Sequence, residues 1–269
     1  METKNQKKVQ KSRGISAALV IFGCAIIAVC FFWFVCGNPA GFDEKGAPLP
    51  GNFFATMFKG GFVVPIILTL LCTVIALSIE RAFAFAKMKG KKNQTKFVQD
   101  VKVKLAEGDI RGAREMCDKQ QGTVANILNA GLIRYEDVEK IEGLNNDAKA
   151  AIIQKEIEEA TALEMPSMQQ NLPVIAVIST LGTLFGLFGT VLGMIRAFSA
   201  LGQEGAPDPL ALSTAISEAL INTATGIATG AMAIIFYNYF AAKVEDITNA
   251  VDEIGFAIGQ TYTTKHLNK

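Results

Sequence analysis

Apolar residues along this chain gather in four long blocks, and the charges fall between them. The blocks cover residues 15–36, 60–79, 172–195 and 219–242. Each matches the roughly 20 residues a helix needs to cross the hydrocarbon core of a bilayer. Backbone N–H and C=O groups find no water there, so each block is read as a helix. Lys59 and Glu80 close the second block, Arg196 ends the third, and Glu218 and Lys243 bracket the fourth. The pattern predicts an all-α integral membrane protein with four transmembrane helices.

The stretch between the second and third blocks is too long for a plain connector. Phe97, Val101 and Leu105 recur at i, i+4 and i+8, a helical stripe. Gly108 and Asp109 break it, and Ile110, Ala113 and Cys117 resume it. Ile127, Leu128 and Leu132 mark another helix. Residues 146–165 read as one helix with Ile152, Ile153, Ile157 and Leu163 on its apolar side. It is expected to run on toward the third span, with Pro166 and Pro173 kinking or interrupting it. After the fourth block, Val244, Ile247, Val251, Ile254 and Ile258 form one more stripe. The third and fourth spans are therefore expected to be long helices that project from the membrane.

Lys and Arg near the span ends set the direction. Lys4, Lys7, Lys8, Lys11 and Arg13 precede the first span; Arg81, Lys87, Lys89, Lys91, Lys92 and Lys96 follow the second. The loop 37–59 carries only Lys45 and Lys59, and the loop 197–217 carries only the acids Glu204 and Asp208 between its ends and Ser217. Lys243, Lys265 and Lys269 follow the fourth span. Both termini and the 80–170 stretch are thus expected on the cytoplasmic side. The resulting division is a cytoplasmic tail 1–14, transmembrane helices 15–36, 60–86, 171–198 and 216–242, and far-side loops 37–59 and 199–215. A cytoplasmic helical domain 87–170 and a helical tail 243–269 complete it. The first span also begins like a signal peptide, but its apolar run exceeds the usual 7–15 residues and no A-x-A site follows. It is expected to stay as an anchor.

Composition narrows the chemistry. Of 269 residues, 50% are hydrophobic and 19% charged, which excludes a disordered chain. The net charge of +1 and the lack of a basic, aromatic-interleaved stretch give no reason to expect nucleic acid. Cys24, Cys30, Cys36, Cys72 and Cys117 show no C-x-x-C spacing, and the one histidine is His266. No metal site or cofactor is expected from these residues. No nucleophile–base set or phosphate loop appears, so an enzyme is not expected.

The third and fourth spans carry the informative pattern. Gly182 and Gly186, Gly189 and Gly193, and Gly226 and Gly230 are small-x-x-x-small pairs that let helices approach closely. Packing within one hairpin accounts for them. Thr183, Gly186 and Thr190 share a face, and Asn222 and Thr223 lie one turn into the fourth span. A single Thr in such a helix often bonds its own i−4 carbonyl; several on facing helices point to a polar strip. Glu218 opens the fourth span, where an ionisable group is costly and is a functional hypothesis. A helix-start acid favoured by the macrodipole is the other reading. Neither late span holds a mid-span Asp or Glu, so a proton relay would need an acid from a partner.

These residues resemble a known family. Leu187-Phe-Gly-Thr-Val-Leu-Gly-Met-Ile-Arg-Ala-Phe198 and Ile216-Ser-Glu-Ala-Leu-Ile-Asn-Thr-Ala-Thr-Gly-Ile227 resemble the signatures of the ExbB, TolQ and MotA proton-channel family. Tyr237-Asn238, Glu107-Gly-Asp-Ile-Arg-Gly-Ala-Arg-Glu-Met-Cys117, Asn129-Ala-Gly-Leu132 and Ser78-Ile-Glu-Arg81 fit the same pattern. The resemblance covers about residues 60–260. It implies a homopentamer whose third and fourth spans line a central pore around two copies of an ExbD-like single-span partner. That partner would supply the proton-relay Asp. Thr190 and Thr223 match the family's pore-facing threonines, and Glu218 its conserved glutamate. The implied role is to use the proton motive force of the bacterial inner membrane to drive outer-membrane transport through a TonB-like protein.

The chain departs from the family at Thr183 and Met232, where proline is usual, and straighter helices are expected there. Its first span is additional and, being apolar all round, is expected outside the ring. A TolQ-like or stator subunit is the alternative within the family; a secondary transporter and a structural scaffold are the alternatives outside it.

Overall fold

The computed structural model describes residues 16–44, 46–91, 93–202 and 209–267. The basic tail 1–14 and the loop acids Glu204 and Asp208 lie outside the described residues. The described chain is helical and divides into two compact units, one of residues 15–80 and 171–239, the other of residues 81–170 and 240–269. Four helices are long and apolar enough to cross a membrane.

In the first unit, α1 (Ala17–Phe31) continues as a π-helical turn, Phe32–Cys36. Asn38 and Asn52 then start short helical pieces by accepting the N–H groups of Ala40 and Ala55. The second piece is α2, Phe53–Lys59. A corner at Gly60 and Gly61 leads into α3, Val63–Met88. Ala28, Phe32, Cys36, Met57, Val64 and Leu68 form one core, and Phe32 stacks on Phe58 at 4.9 Å. The outer side of α1 stays exposed at Leu19, Phe22, Ile27 and Phe34, as suits a helix in lipid. The unit is completed by α8 (Leu172–Leu201) and by α9, which starts at Pro209. Both helices extend further into the 199–215 stretch than the expected loop boundaries.

The second unit joins the end of α3 to α4 (Gln94–Ala106), α5 (Ile110–Gln120), α6 (Thr123–Glu139), α7 (Asn146–Met168) and the last part of α9. Asn93, Asp109 and Asn145 cap α4, α5 and α7 by accepting N–H groups of Thr95, Gly112 and Ala148. The Gly112 N–H beside it holds the Asp109 carboxyl below the usual carboxylate range. Val101, Leu105, Leu128, Leu132, Ile153 and Ile254 are fully buried, so the helical stripes converge on one core. Arg114 pairs with Glu136 at 2.6 Å, and Lys102 pairs with Glu253 of α9. Cys117 sits in this core, and burial pushes its thiol up to about 12, which leaves it an inert small hydrophobe near neutral pH.

One expectation about α7 needs correction. Leu163 is 77% exposed, whereas Ile153 and Ile157 are buried. Six residues beyond Ile157 is about 240° further round the helix, which is another face. The interruption expected between Pro166 and Pro173 is present. The helix ends at Met168, and Asn171 adopts a left-handed φ of 64° before α8 starts. Asn tolerates that conformation. Pro166 is accommodated inside the last turns of α7, and Pro173 falls at the start of α8, where its missing N–H costs nothing. Arg81, itself buried, donates to the Ser167 carbonyl at 3.2 Å and so satisfies a helix-end acceptor. The last helix is long, as expected: α9 runs unbroken from Pro209 to Leu267. Its 59 residues span about 90 Å, well beyond a hydrocarbon core.

Ile157 lies against Gly131 and Gly255, where α6, α7 and α9 meet. Ile157→Ala is therefore expected to cost about 2–5 kcal/mol, read as a lower denaturation midpoint of the detergent-purified protein.

Candidate functional site

The candidate site is built on the α8–α9 hairpin, and its geometry starts from glycine. All six glycines singled out by spacing sit where the two helices touch. A Cβ on Gly226 would stand 2.5 Å from the Gly186 Cα and 2.6 Å from the Gly182 carbonyl oxygen. One on Gly193 would stand 2.7 Å from the Ala219 Cβ, and one on Gly230 2.6 Å from the Thr183 hydroxyl. Gly189 leaves the space that Asn222 fills. The backbones approach so closely that a side chain on either helix reaches main-chain groups of the other.

Thr190 and Thr223 use that reach. Their hydroxyls hydrogen-bond each other across the two helices. The Thr190 hydroxyl also lies 3.3 Å from the carbonyls of Gly186, on its own helix, and Ala219, on α9. The Thr223 hydroxyl lies 3.4 Å from the same Gly186 carbonyl. The result is a small polar cluster in an otherwise apolar hairpin, containing groups that both donate and accept. Thr183 does not join it: its hydroxyl turns back to the Ser179 carbonyl at 3.3 Å. Thr225 and Thr229 likewise bond their own helix, at 2.8 Å.

Asn222 points elsewhere. It is buried, and its Nδ2 donates to the Gly60 carbonyl at 3.2 Å, in the corner between α2 and α3. A side chain at Gly60 would meet the Asn222 Oδ1 at 2.9 Å, so the corner has to be glycine for the amide to dock.

Glu218 stands near the start of α9 with its side chain 10% exposed. Its Oε2 is 3.3 Å from Nη1 of Arg196, near the end of α8. Lys59, ending α2, also acts on its charge. Spacing singled out neither Arg196 nor Gly60. The signal for Arg196 was available: in an antiparallel hairpin, the charge that closes one span lies level with the charge that opens the next. Nothing in the sequence pointed to Gly60. Among the described residues, no group of three or more His, Cys, Asp or Glu side chains gathers to hold a metal ion. An open groove of about 700 Å³ lies in the other unit and is lined by Lys102, Asp252, Glu253 and Phe256 among others.

Comparison with known proteins meets this geometry. The model of the MotA/TolQ/ExbB proton channel family matches residues 119–253, which include all of α8 and α9 as far as Glu253. The Tol-Pal system protein TolQ of Haemophilus influenzae is 24% identical over 75% of this chain and 91% of its own length. A putative biopolymer transport protein ExbB-like 3 of Synechocystis is 29% identical over 67% and 81%. The biopolymer transport protein ExbB of Salmonella typhimurium is 25% identical over 64% and 70%.

The backbone contact at Gly226 supplies a test. Gly226→Ala places a methyl against main chain that cannot give, which is expected to cost about 1–3 kcal/mol or more and to lower both membrane level and thermal midpoint. Gly23→Ala in α1, where nothing lies within 4 Å of the new Cβ, is the control and should change neither.

Proposed function

The chain belongs to the MotA/TolQ/ExbB proton channel family, and from that premise we propose that it is the ring-forming subunit of a proton-driven inner-membrane motor. The observation that carries this reading is the Thr190–Thr223 hydroxyl pair, held across two closely packed helices with Glu218 at one end. In this reading the spans 15–36, 60–86, 171–198 and 216–242 cross the membrane, with both termini and the 87–170 domain in the cytoplasm. Five copies surround the single spans of two ExbD-like partners, and α8 and α9 line the central pore. The first span sits outside the ring, where its exposed apolar face meets lipid.

The chemistry follows from what the hairpin has and lacks. Neither late span carries a mid-span carboxylate, so the partner's Asp binds the proton. Once neutral, that acid can leave water and enter the apolar pore at much lower cost than its charged form. The threonine hydroxyls offer it both a donor and an acceptor on the way. Release on the cytoplasmic side restores the charge, and the partner turns against the ring. A TonB-like protein spanning the periplasm passes the motion to outer-membrane transport. The subunit itself catalyses no covalent chemistry.

A TolQ-like role in envelope maintenance is the second reading, favoured by the TolQ relative matched over 91% of its length. Both readings share the pore and differ in the protein that receives the motion.

Native mass spectrometry of the complex, co-expressed with neighbouring genes, tests the assembly. Five copies of this 28.9 kDa chain with two of a small single-span protein support the proposal. A monomer or dimer without such a partner sinks it. Thr190→Ala and Thr223→Ala are expected to abolish energised uptake while leaving that assembly intact. Undiminished uptake would return both hydroxyls to mere packing.

A further inference from the structure

Glu218 is held in a specific way. Only 10% of its side chain is exposed, while that of Arg196 is 50% exposed. The carboxylate is thus tucked against the hairpin, and the half-exposed guanidinium reaches it from outside. The corner between α2 and α3 makes room for this. Gly61 has a φ of +73°, and a side chain there would stand 3.3 Å from the Arg196 Nη2. The guanidinium therefore lies over bare backbone. Lys59 is the second cation within range of the carboxylate, but its ammonium sits 5.7 Å above the Phe42 ring. Among the described residues, Arg196 from α8 and Lys59 from α2 are the charged groups that face Glu218, and only Arg196 touches it.

We infer that Arg196 is a positioning residue for Glu218: it fixes the carboxylate at the outer end of the α8–α9 pair, and the acid takes up a proton only as this ion pair opens. The inference rests on the proton-channel reading and deepens it. A carboxylate this shielded from water gains most from a partner that is always charged and has a fork of donors. Protonation removes the charge that holds the pair, so binding a proton and releasing the arginine are one event. The charge link between the two late helices is then lost, while the Gly193–Ala219 contact beside it still holds them together.

The test uses the whole complex, purified with its partners and reconstituted into liposomes, with proton flux followed by a pH-sensitive dye across a range of pH. Removing the cation makes the carboxylate harder to ionise, so Arg196→Gln is expected to move the flux profile about one unit or more toward higher pH. Arg196→Lys keeps the charge and should restore most of the wild-type profile. Should Arg196→Gln fail to assemble, the double variant Arg196→Gln with Glu218→Gln removes the stranded charge. It should assemble and yet lose the pH-dependent step. An unmoved profile in Arg196→Gln overturns the inference. So does full flux from the charge-swapped Arg196→Glu with Glu218→Arg, because a merely structural pair survives that exchange. A wild-type complex silent to protons removes the channel reading itself; a conducting one with unresponsive variants removes only the role of Arg196.

Discussion

The polar features of the membrane-spanning hairpin depend on how closely two helix backbones approach at Gly186 and Gly226. With ordinary side chains at that crossing, α8 and α9 would stand several ångströms further apart. Thr190 could then not reach the carbonyl of Ala219, nor Thr223 that of Gly186. In lipid there is no hydrophobic force to pull helices together, since the tails are as apolar as leucine. The contact has to come from dispersion between surfaces that fit and from hydrogen bonds that find no water to compete. Glycine provides the first and the threonines the second. The close packing and the polar cluster are therefore one arrangement.

The long apolar helices were legible because a bilayer imposes a length and a hydropathy that few other environments do. The core of the second unit was legible for a simpler reason: Val101, Leu105, Ile153 and Ile254 recur at helical spacing and all end up inside. Two things were not. A left-handed residue costs one position and leaves no periodic trace, so Asn171 did not stand out between two prolines. Leu163 looked like a core residue by type, yet its angular position takes it away from Ile157. At the candidate site, Thr190, Thr223 and the glycines were visible as spacing within one or two helices. Arg196 and Gly60 acquire meaning only when elements distant in sequence are brought together, as in the 162-residue separation between Asn222 and Gly60.

The electrostatics of the hairpin are economical. One carboxylate and one guanidinium are placed at the end where the apolar stretch stops, and the interior carries only neutral hydroxyls and an amide. A fixed charge deeper in the span would have to be solvated by the protein at all times. Neutral groups impose no such requirement. Charge is thus confined to one end of the hairpin, and the apolar stretch between carries none.

The Lys59-Gly60-Gly61 corner carries a consequence for descent and for engineering. Gly60 receives the Asn222 amide and Gly61 lies under the Arg196 guanidinium. Two side chains from two different helices, α9 and α8, are thus tied to two adjacent residues without side chains. Such positions cannot drift one at a time. Replacement of Asn222 by a small residue leaves the Gly60 carbonyl facing apolar surroundings, and a larger residue at Gly60 expels the amide. The corner between α2 and α3 and the α8–α9 hairpin are therefore coupled through these contacts. A chimera that borrows α1 and α2 from a relative will be compatible only if it brings this corner with it.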